Sequence, residues 1–453
     1  MAEQLVFFGT TAPNDYTIWK SDGTSSGTGQ LINASVLSDL YGSGVTIPGP
    51  ILLYANNKIY AQAQNSLLVW DAASGHFDIP SAVTETSQGQ GSVDFNTPQG
   101  FVAYDGLVYF NGSYSGGLVG TNNDLFSTDG TQPGTKQVSY SDLNPGSLAV
   151  AFGKLFFSGI DSGSNNYVLW SRHGSTLEQV QGVDVVNPQY LTLSVAGHEF
   201  ATDLPAPPHL APGPSLFMSG QDFSGGPTWL YRYNGTTLTK IAPTTADQSQ
   251  GLQPCNLAGL VWIGEGKIGN KEVAVPYQSA VFFSGVDTNG NTRLWMSAGT
   301  SETTVPITVP HGLDNLYPFN LNGFNGQLYF TGYDDPNNSR GRGLFVYDPV
   351  THTASRLIDS HPDPNQTNRA GLDPQFNSDW EGEQGALGSA MFNQPTMTVF
   401  NNDLYFSASE PSGDVANLWR ANLNSQGTSA NPTTVHSVSQ TGLAPFSLTT
   451  ADL

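Results

Sequence analysis

Val108-Tyr109-Phe110-Asn111-Gly112, followed by Leu125-Phe126-Ser127-Thr128-Asp129-Gly130-Thr131, decides the fold of this chain. The first stretch is an apolar and aromatic run that ends in a small polar residue and a glycine, the pattern of a short buried strand. The second is another such run that breaks into Asp-Gly, a pair suited to tight hairpins because both residues tolerate positive φ. Neither carries the 3.6-residue spacing of an amphipathic helix.

Both blocks recur. Copies of the first are Val6-Phe7-Phe8, Ile59-Tyr60-Ala61, Val108-Tyr109-Phe110, Leu155-Phe156-Phe157, Leu216-Phe217-Met218, Val281-Phe282-Phe283, Leu328-Tyr329-Phe330 and Leu404-Tyr405-Phe406, eight in all. They are spaced by roughly 50 residues, a period typical of repeat architectures. Copies of the second follow each one: Ile18-Trp19, Val69-Trp70, Leu125-Phe126, Leu169-Trp170, Leu230-Tyr231, Leu294-Trp295, Leu344-Phe345 and Leu418-Trp419. An apolar run such as Leu148-Ala149-Val150 or Val273-Ala274-Val275 precedes the first block, and one such as Thr239-Lys240-Ile241 follows the second. Each unit therefore predicts four antiparallel strands, A to D, and such units are β-propeller blades. The chain opens at a strand B (Val6) and ends in Pro445-Phe446-Ser447-Leu448-Thr449-Thr450, which has the character of the missing strand A. The expectation is one all-β domain over residues 1–453, an eight-bladed propeller closed by its C-terminal strand. Seven blades is the alternative, if the unit at Ile59 is degenerate. Long insertions are expected at about 196–214, 243–272 and 359–395.

Composition sets the outer limits. Lys and Arg number 15 against 37 Asp and Glu, so the net charge is 15 − 37 = −22. That excess argues against nucleic acid and anionic membranes, which need a basic face, and favours neutral or cationic partners and a self-repelling monomer. Only 11% of residues are charged, under half the usual share of about 25%, while the apolar content suffices for a large core. No run approaches the ~18 apolar residues of a membrane span. The single Cys255 excludes an intramolecular disulfide and any CxxC metal site. The N-terminus Met1-Ala2-Glu3-Gln4 shows no signal peptide.

Ile18-Trp19-Lys20-Ser21-Asp22-Gly23-Thr24-Ser25-Ser26-Gly27-Thr28 and residues 125–135, Leu125 to Thr135, resemble the LWxTDGTxxGT repeat of large secreted and surface bacterial proteins, sometimes called hyalin-like. Leu294-Trp295-Met296-Ser297-Ala298-Gly299-Thr300 keeps only the aromatic and the turn. The resemblance implies the blade skeleton and a secreted or cell-surface setting, and brings no catalytic residues with it.

Five tryptophans, Trp19, Trp70, Trp170, Trp295 and Trp419, share one repeat position and are expected to pack between blades. Trp229, Trp262 and Trp380 fall outside it. In a four-stranded blade the B–C turns and D–A connections emerge at one end, and the A–B and C–D turns at the other. Insertions 243–272 and 359–395 are read as D–A connections, so that Trp262, Glu265, Asp373 and Trp380 become candidate ligand-binding residues on the B–C/D–A end. Asp379, Glu381 and Glu383 around Trp380 are the candidate catalytic carboxylates, because two carboxylates at a suitable separation serve glycoside hydrolysis. Aromatic platforms flanked by carboxylates and amides suit sugars, which offer an apolar face and a ring of hydroxyls. Asp287, Asn289 and Asn291 place oxygen donors at alternate positions, as calcium loops do, and Asp334 and Asp335 are a further candidate pair, but both lack the distal bidentate glutamate of an EF-hand. Calcium is the one cofactor left open, and none is required. No serine-hydrolase elbow, phosphate loop or HExxH pairing is present.

The leading reading is an extracellular module that binds glycan or another neutral cell-surface polymer. The second is a polysaccharide lyase or glycoside hydrolase using the insertion carboxylates, and the third a structural spacer of a surface protein. Turnover stays open at this point.

Overall fold

In a computed structural model the chain is an eight-bladed β-propeller of eight sheets, each built on four antiparallel strands. The structure describes residues 3–10, 16–32, 52–63, 66–80, 82–86, 89–93, 95–114, 122–139, 143–182, 184–194, 214–268, 271–309, 316–333, 342–358, 373–374, 397–409, 416–422, 435–438 and 446–452. Two compact units divide it: Met1–Leu148, Gly159–Asn165 and Asn377–Leu453 in the first, Ala149–Ser158 and Asn166–Phe376 in the second.

The first blade is completed from both ends of the chain. Its strand A is Phe446–Asp452, which pairs antiparallel with strand B, Glu3–Thr10, in the register Glu3↔Asp452, Leu5↔Thr450 and Val6↔Thr449. The unit at Ile59 is a full blade, with strands Leu52–Ala55, Lys58–Ala63, Ser66–Asp71 and His76–Asp78. Eight blades thus stand, and the seven-blade alternative falls.

The apolar alternation of strand B explains how blades cohere. Successive side chains on a strand point to opposite faces, so one strand B can pack toward two neighbouring blades. Val6 and Phe8 join Ile59 and Leu68 of the second blade in one core, whereas Leu5 and Phe7 join Tyr405 and Leu418 of the eighth in another. In the sixth blade, likewise, Val281 and Phe283 face the fifth while Phe282 faces the seventh. Every one of these side chains is fully or almost fully buried, and full burial contributes roughly 1.5–3 kcal/mol apiece. The repeat tryptophans follow the same rule: Trp70, Trp295 and Trp419 are buried, and Trp19 and Trp170 half-buried. Their indoles also tie strand C to strand B, with Nε1 donating to Gly9 O from Trp19 (3.1 Å), to Gly285 O from Trp295 (2.9 Å) and to Ala408 O from Trp419 (2.9 Å).

The Asp-Gly-Thr turn is a closed hydrogen-bond circuit. Asp22 Oδ1 accepts from the amide (2.9 Å) and hydroxyl (2.7 Å) of Thr24, Gly27 N donates to Thr24 Oγ1 (3.0 Å), and Thr28 Oγ1 donates to Thr24 O (2.7 Å). Asp129, Thr131, Gly134 and Thr135 repeat the circuit at 2.7–3.1 Å. Gly27 and Gly134 are required because a Cβ at either would overlap the aspartate carboxylate. In the third copy that aspartate is Ala298 and the glycine is Thr303; the constraint and the residue it demands disappear together.

A second repeat went unrecognised in the sequence. Strand A begins at Leu143-Asn144-Pro145-Gly146-Ser147-Leu148, Val186-Asn187-Pro188-Gln189-Tyr190-Leu191, Leu252-Gln253-Pro254-Cys255-Asn256-Leu257 and Leu316-Tyr317-Pro318-Phe319-Asn320-Leu321 in blades four to seven. The residue before proline and the residue two after it both take positive φ, from 43° to 53°. The amide before proline stitches the blade to its predecessor: Asn144 N donates to Asn123 O (2.8 Å), Gln253 N to Thr228 O (3.0 Å) and Tyr317 N to Thr292 O (3.1 Å).

One insertion is corrected. Residues 242–254 do connect blades five and six, but Cys255–Ile268 is strand A of the sixth blade, and Lys271–Val286, which contains Val273-Ala274-Val275, is its strand B. The pairs Trp262↔Gln278 and Glu265↔Ala274 belong to an A–B ribbon that continues past the part of strand B, Val281 to Val286, that pairs with strand C. Trp262 and Glu265 therefore lie on the A–B/C–D end, opposite the expected one. The apolar run 273–275 resembled a strand A only because the ribbon prolongs strand B with the same residue types.

Candidate functional site

At the B–C/D–A end of blades five and six, three aspartates organise the turns. In the sixth blade Asp287 is almost wholly buried; its Oδ1 accepts from Asn289 N (2.8 Å) and Asn291 N (3.0 Å), and its Oδ2 from Arg293 Nη1 (3.4 Å). The connection 242–254 is locked by Asp247, whose Oδ1 accepts from Ser249 N and Oγ and from Gln250 N at 2.7–3.1 Å. Thr288 N donates to Thr245 O (3.1 Å), joining that connection to the Asp287 turn.

The B–C turn of the fifth blade, between strands Ser215–Gln221 and Thr228–Tyr233, is the most informative. Asp222 Oδ1 accepts from Tyr231 OH (2.6 Å), and its Oδ2 is in contact with Lys240 Nζ. The same ammonium sits 5.0 Å from the centre of the buried Trp229 ring. Gln221 Oε1 accepts from Asn187 Nδ2 (2.9 Å) and Gly225 N (3.3 Å), and Gly226 N donates to Phe223 O (2.9 Å). With these polar groups engaged, the turn presents Phe223 with 61% of its surface in water. Tyr317, in the connection from the sixth blade to the seventh, is 38% exposed at the same end.

Ionisation follows these contacts. Lys240 and then Tyr231 hold the Asp222 carboxyl below the usual range, Ser249 does so for Asp247, and Ser164 for Asp161 in the B–C turn of the fourth blade. Burial pushes the Cys255 thiol up to about 11, against a smaller opposing effect of Ser284. A thiol raised in this way carries little of the reactive thiolate at neutral pH.

Of the sequence candidates, Asp287, Asn289 and Asn291 do share one turn, the one described above. Asp373 falls in the two-residue strand Asp373–Pro374. Asp379, Trp380, Glu381, Glu383, Asp334 and Asp335 lie outside the described residues. Among the described residues no cluster of three or more His, Cys, Asp or Glu is placed to hold a metal ion, and no helix is long and apolar enough to cross a membrane. Phe223 and Tyr317 were missed. Their signal was an aromatic inside a Gly-rich turn (Asp222-Phe223-Ser224-Gly225-Gly226) and one directly before a repeat proline.

No protein-family model and no curated protein matches the chain. Among solved structures it is similar to the β-propeller domain of the Trilobed protease from Pyrococcus furiosus, at 6% identity, covering 87% of this chain and 97% of that one with a TM-score of 0.39. It is similar also to Porphyromonas gingivalis dipeptidyl peptidase 4, at 10% identity over 79% of this chain and 51% of that one, TM-score 0.43. An oligogalacturonate lyase in complex with manganese is a third, at 12% identity over 93% and 86%, TM-score 0.41. These likenesses are to the propeller fold alone.

Proposed function

We propose that the protein is an extracellular binding module for a glycan or other neutral cell-surface polymer, gripped at the B–C/D–A end of the propeller. The observation that carries this reading is Phe223: a bare aromatic ring on a turn pinned by Asp222, Gln221 and Gly226. A pre-ordered platform spends little entropy on binding, and an aromatic face matches the apolar face of a sugar ring. Tyr317 offers a second ring at the same end. Trp380, with Asp379, Glu381 and Glu383, lies outside the described residues and stays a separate candidate from the sequence. The extracellular setting is supported by the resemblance of residues 18–28 and 125–135 to surface-protein repeats.

The test is incubation with a panel of insoluble polysaccharides, with calcium and with chelator, reading protein retained on the pellet and new reducing ends in solution. Retention on a neutral polymer, lost in Phe223→Ala and Trp380→Ala, is expected. Loss with chelator would add calcium to the site. New reducing ends would overturn the reading in favour of a lyase or hydrolase, and no retention on any polymer would favour a spacer.

A further inference from the structure

The fifth blade carries a cation at the turn that presents Phe223, yet that cation is occupied. Lys240, on strand D (Leu238–Ile241), is in contact with Asp222 Oδ2 and lies over the Trp229 ring. Asp222 is the immediate chain neighbour of Phe223, and its other oxygen is held by Tyr231 OH (2.6 Å). In the sixth blade Arg293 is taken up in the same way by Asp287 (3.4 Å). Both described cations associated with these two B–C turns are thus matched to a turn aspartate. The two pairs differ in depth. Arg293 and Asp287 are largely buried, at 18% and 5% side-chain exposure, while Lys240 and Asp222 stand at 35% and 48%. A partly exposed pair is weak, so of these two cations Lys240 is the one that an anionic sugar could recruit, and Asp222 is what competes with it.

We propose that Asp222 is a specificity-determining residue: by holding Lys240 against Trp229 it keeps the Phe223 platform selective for uncharged sugars and against polyuronates. Discrimination of this kind comes from removing an attractive partner from the disfavoured ligand and leaving a like charge in its place. Substituting Asp222 with Asn keeps an acceptor for Tyr231 OH but removes the charge, which frees Lys240 to meet a uronate carboxylate. The inference rests on the binding-module reading and goes beyond it in naming the residue that sets the charge class of the ligand.

The experiment compares retention on an insoluble neutral β-glucan and on immobilised polygalacturonate, at low and high salt, for the wild type, Asp222→Asn, Lys240→Gln and the double variant Asp222→Asn/Lys240→Gln. The wild type is expected to favour the neutral polymer. Asp222→Asn is expected to raise the ratio of polygalacturonate to glucan retention by roughly tenfold, the scale of one charge-assisted contact. The gain should shrink at high salt and vanish in the double variant. Equal or stronger polygalacturonate retention by the wild type, an unchanged ratio in folded Asp222→Asn, or a gain that survives Lys240→Gln would each overturn the inference while leaving the binding module standing. Failure of the wild type to hold the neutral polymer, or indifference to Phe223→Ala, would overturn the binding-module reading itself.

Discussion

The Asp-Gly-Thr turns permit a double-mutant test of why their sequence repeats. In the turn at 129–135, Gly134→Ala places a methyl group against the Asp129 carboxylate. The carboxylate must then swing away and surrender its bonds from Thr131 N (2.8 Å) and Thr131 Oγ1 (2.7 Å). Those bonds are exposed and contribute about 1 kcal/mol together, and residual crowding adds about 1 kcal/mol more, so Gly134→Ala should destabilise by about 2 kcal/mol. Asp129→Ala alone should cost about 1 kcal/mol. Once the carboxylate is gone, the added methyl meets no obstacle, and at Gly134, which has no positive φ, alanine restricts the unfolded chain in the folded state's favour by about 0.5 kcal/mol. The double variant should therefore be about 0.5 kcal/mol less stable than wild type, against about 3 kcal/mol for simple addition. Urea unfolding followed by indole fluorescence would measure all four proteins. Sites that do not interact add to within about 0.5 kcal/mol; additivity here would refute the steric coupling and with it this account of the motif. The third copy, Ala298 with Thr303, is the natural version of the double variant.

Other expectations follow from the same contacts. Trp295→Phe should leave the buried Gly285 carbonyl without its indole donor and cost about 1–3 kcal/mol, while Trp295→Ala should cost about 3–5 kcal/mol; unchanged urea midpoints would sink the packing role. With its thiol pushed up to about 11, the half-buried Cys255 should react more slowly with an aromatic disulfide reagent at pH 8 in the native protein than in denaturant, and equal rates would contradict the raised value. Asp22, Asp71, Asp161, Asp222 and Asp247 all have carboxyls held below the usual range, chiefly by Thr24, Ser74, Ser164, Lys240 and Ser249 in turn. Their folded pKa values lie under the unfolded ones, so the stability they lend is present above about pH 4 and is lost as pH falls through the folded values; a urea midpoint as high at pH 3 as at pH 6 would refute this. Tyr60 and Tyr329 are raised to about 12, burial being the main cause. The stability they lend is present below about pH 10 and fades as pH climbs through 12, and a titration of phenolate absorbance showing every tyrosine ionising near pH 10 would contradict it.

Period and alternation are properties of the chain itself, which is why the architecture was legible before any coordinates. Eight copies of an apolar–aromatic block, each with a partner block, call for eight small sheets with two buried faces, and the strand-A character of residues 445–450 matches their pairing with Glu3–Thr10. The structural role of the repeat tryptophans was legible for the same reason, since a residue that recurs with the blade serves the blade. What the tertiary structure decided was direction and occupancy. Val273-Ala274-Val275 carries no mark telling strand A from a prolonged strand B; only the pairing of Cys255–Ile268 with Lys271–Val286 moves Trp262 and Glu265 to the opposite end. Nor does sequence spacing reveal that Lys240 is matched to Asp222, 18 residues away, or that the Phe223 ring in the strand-B-to-C turn of its blade stands exposed. Such facts depend on which side chains meet across strands, and a period records only where strands occur, not which neighbour each one faces.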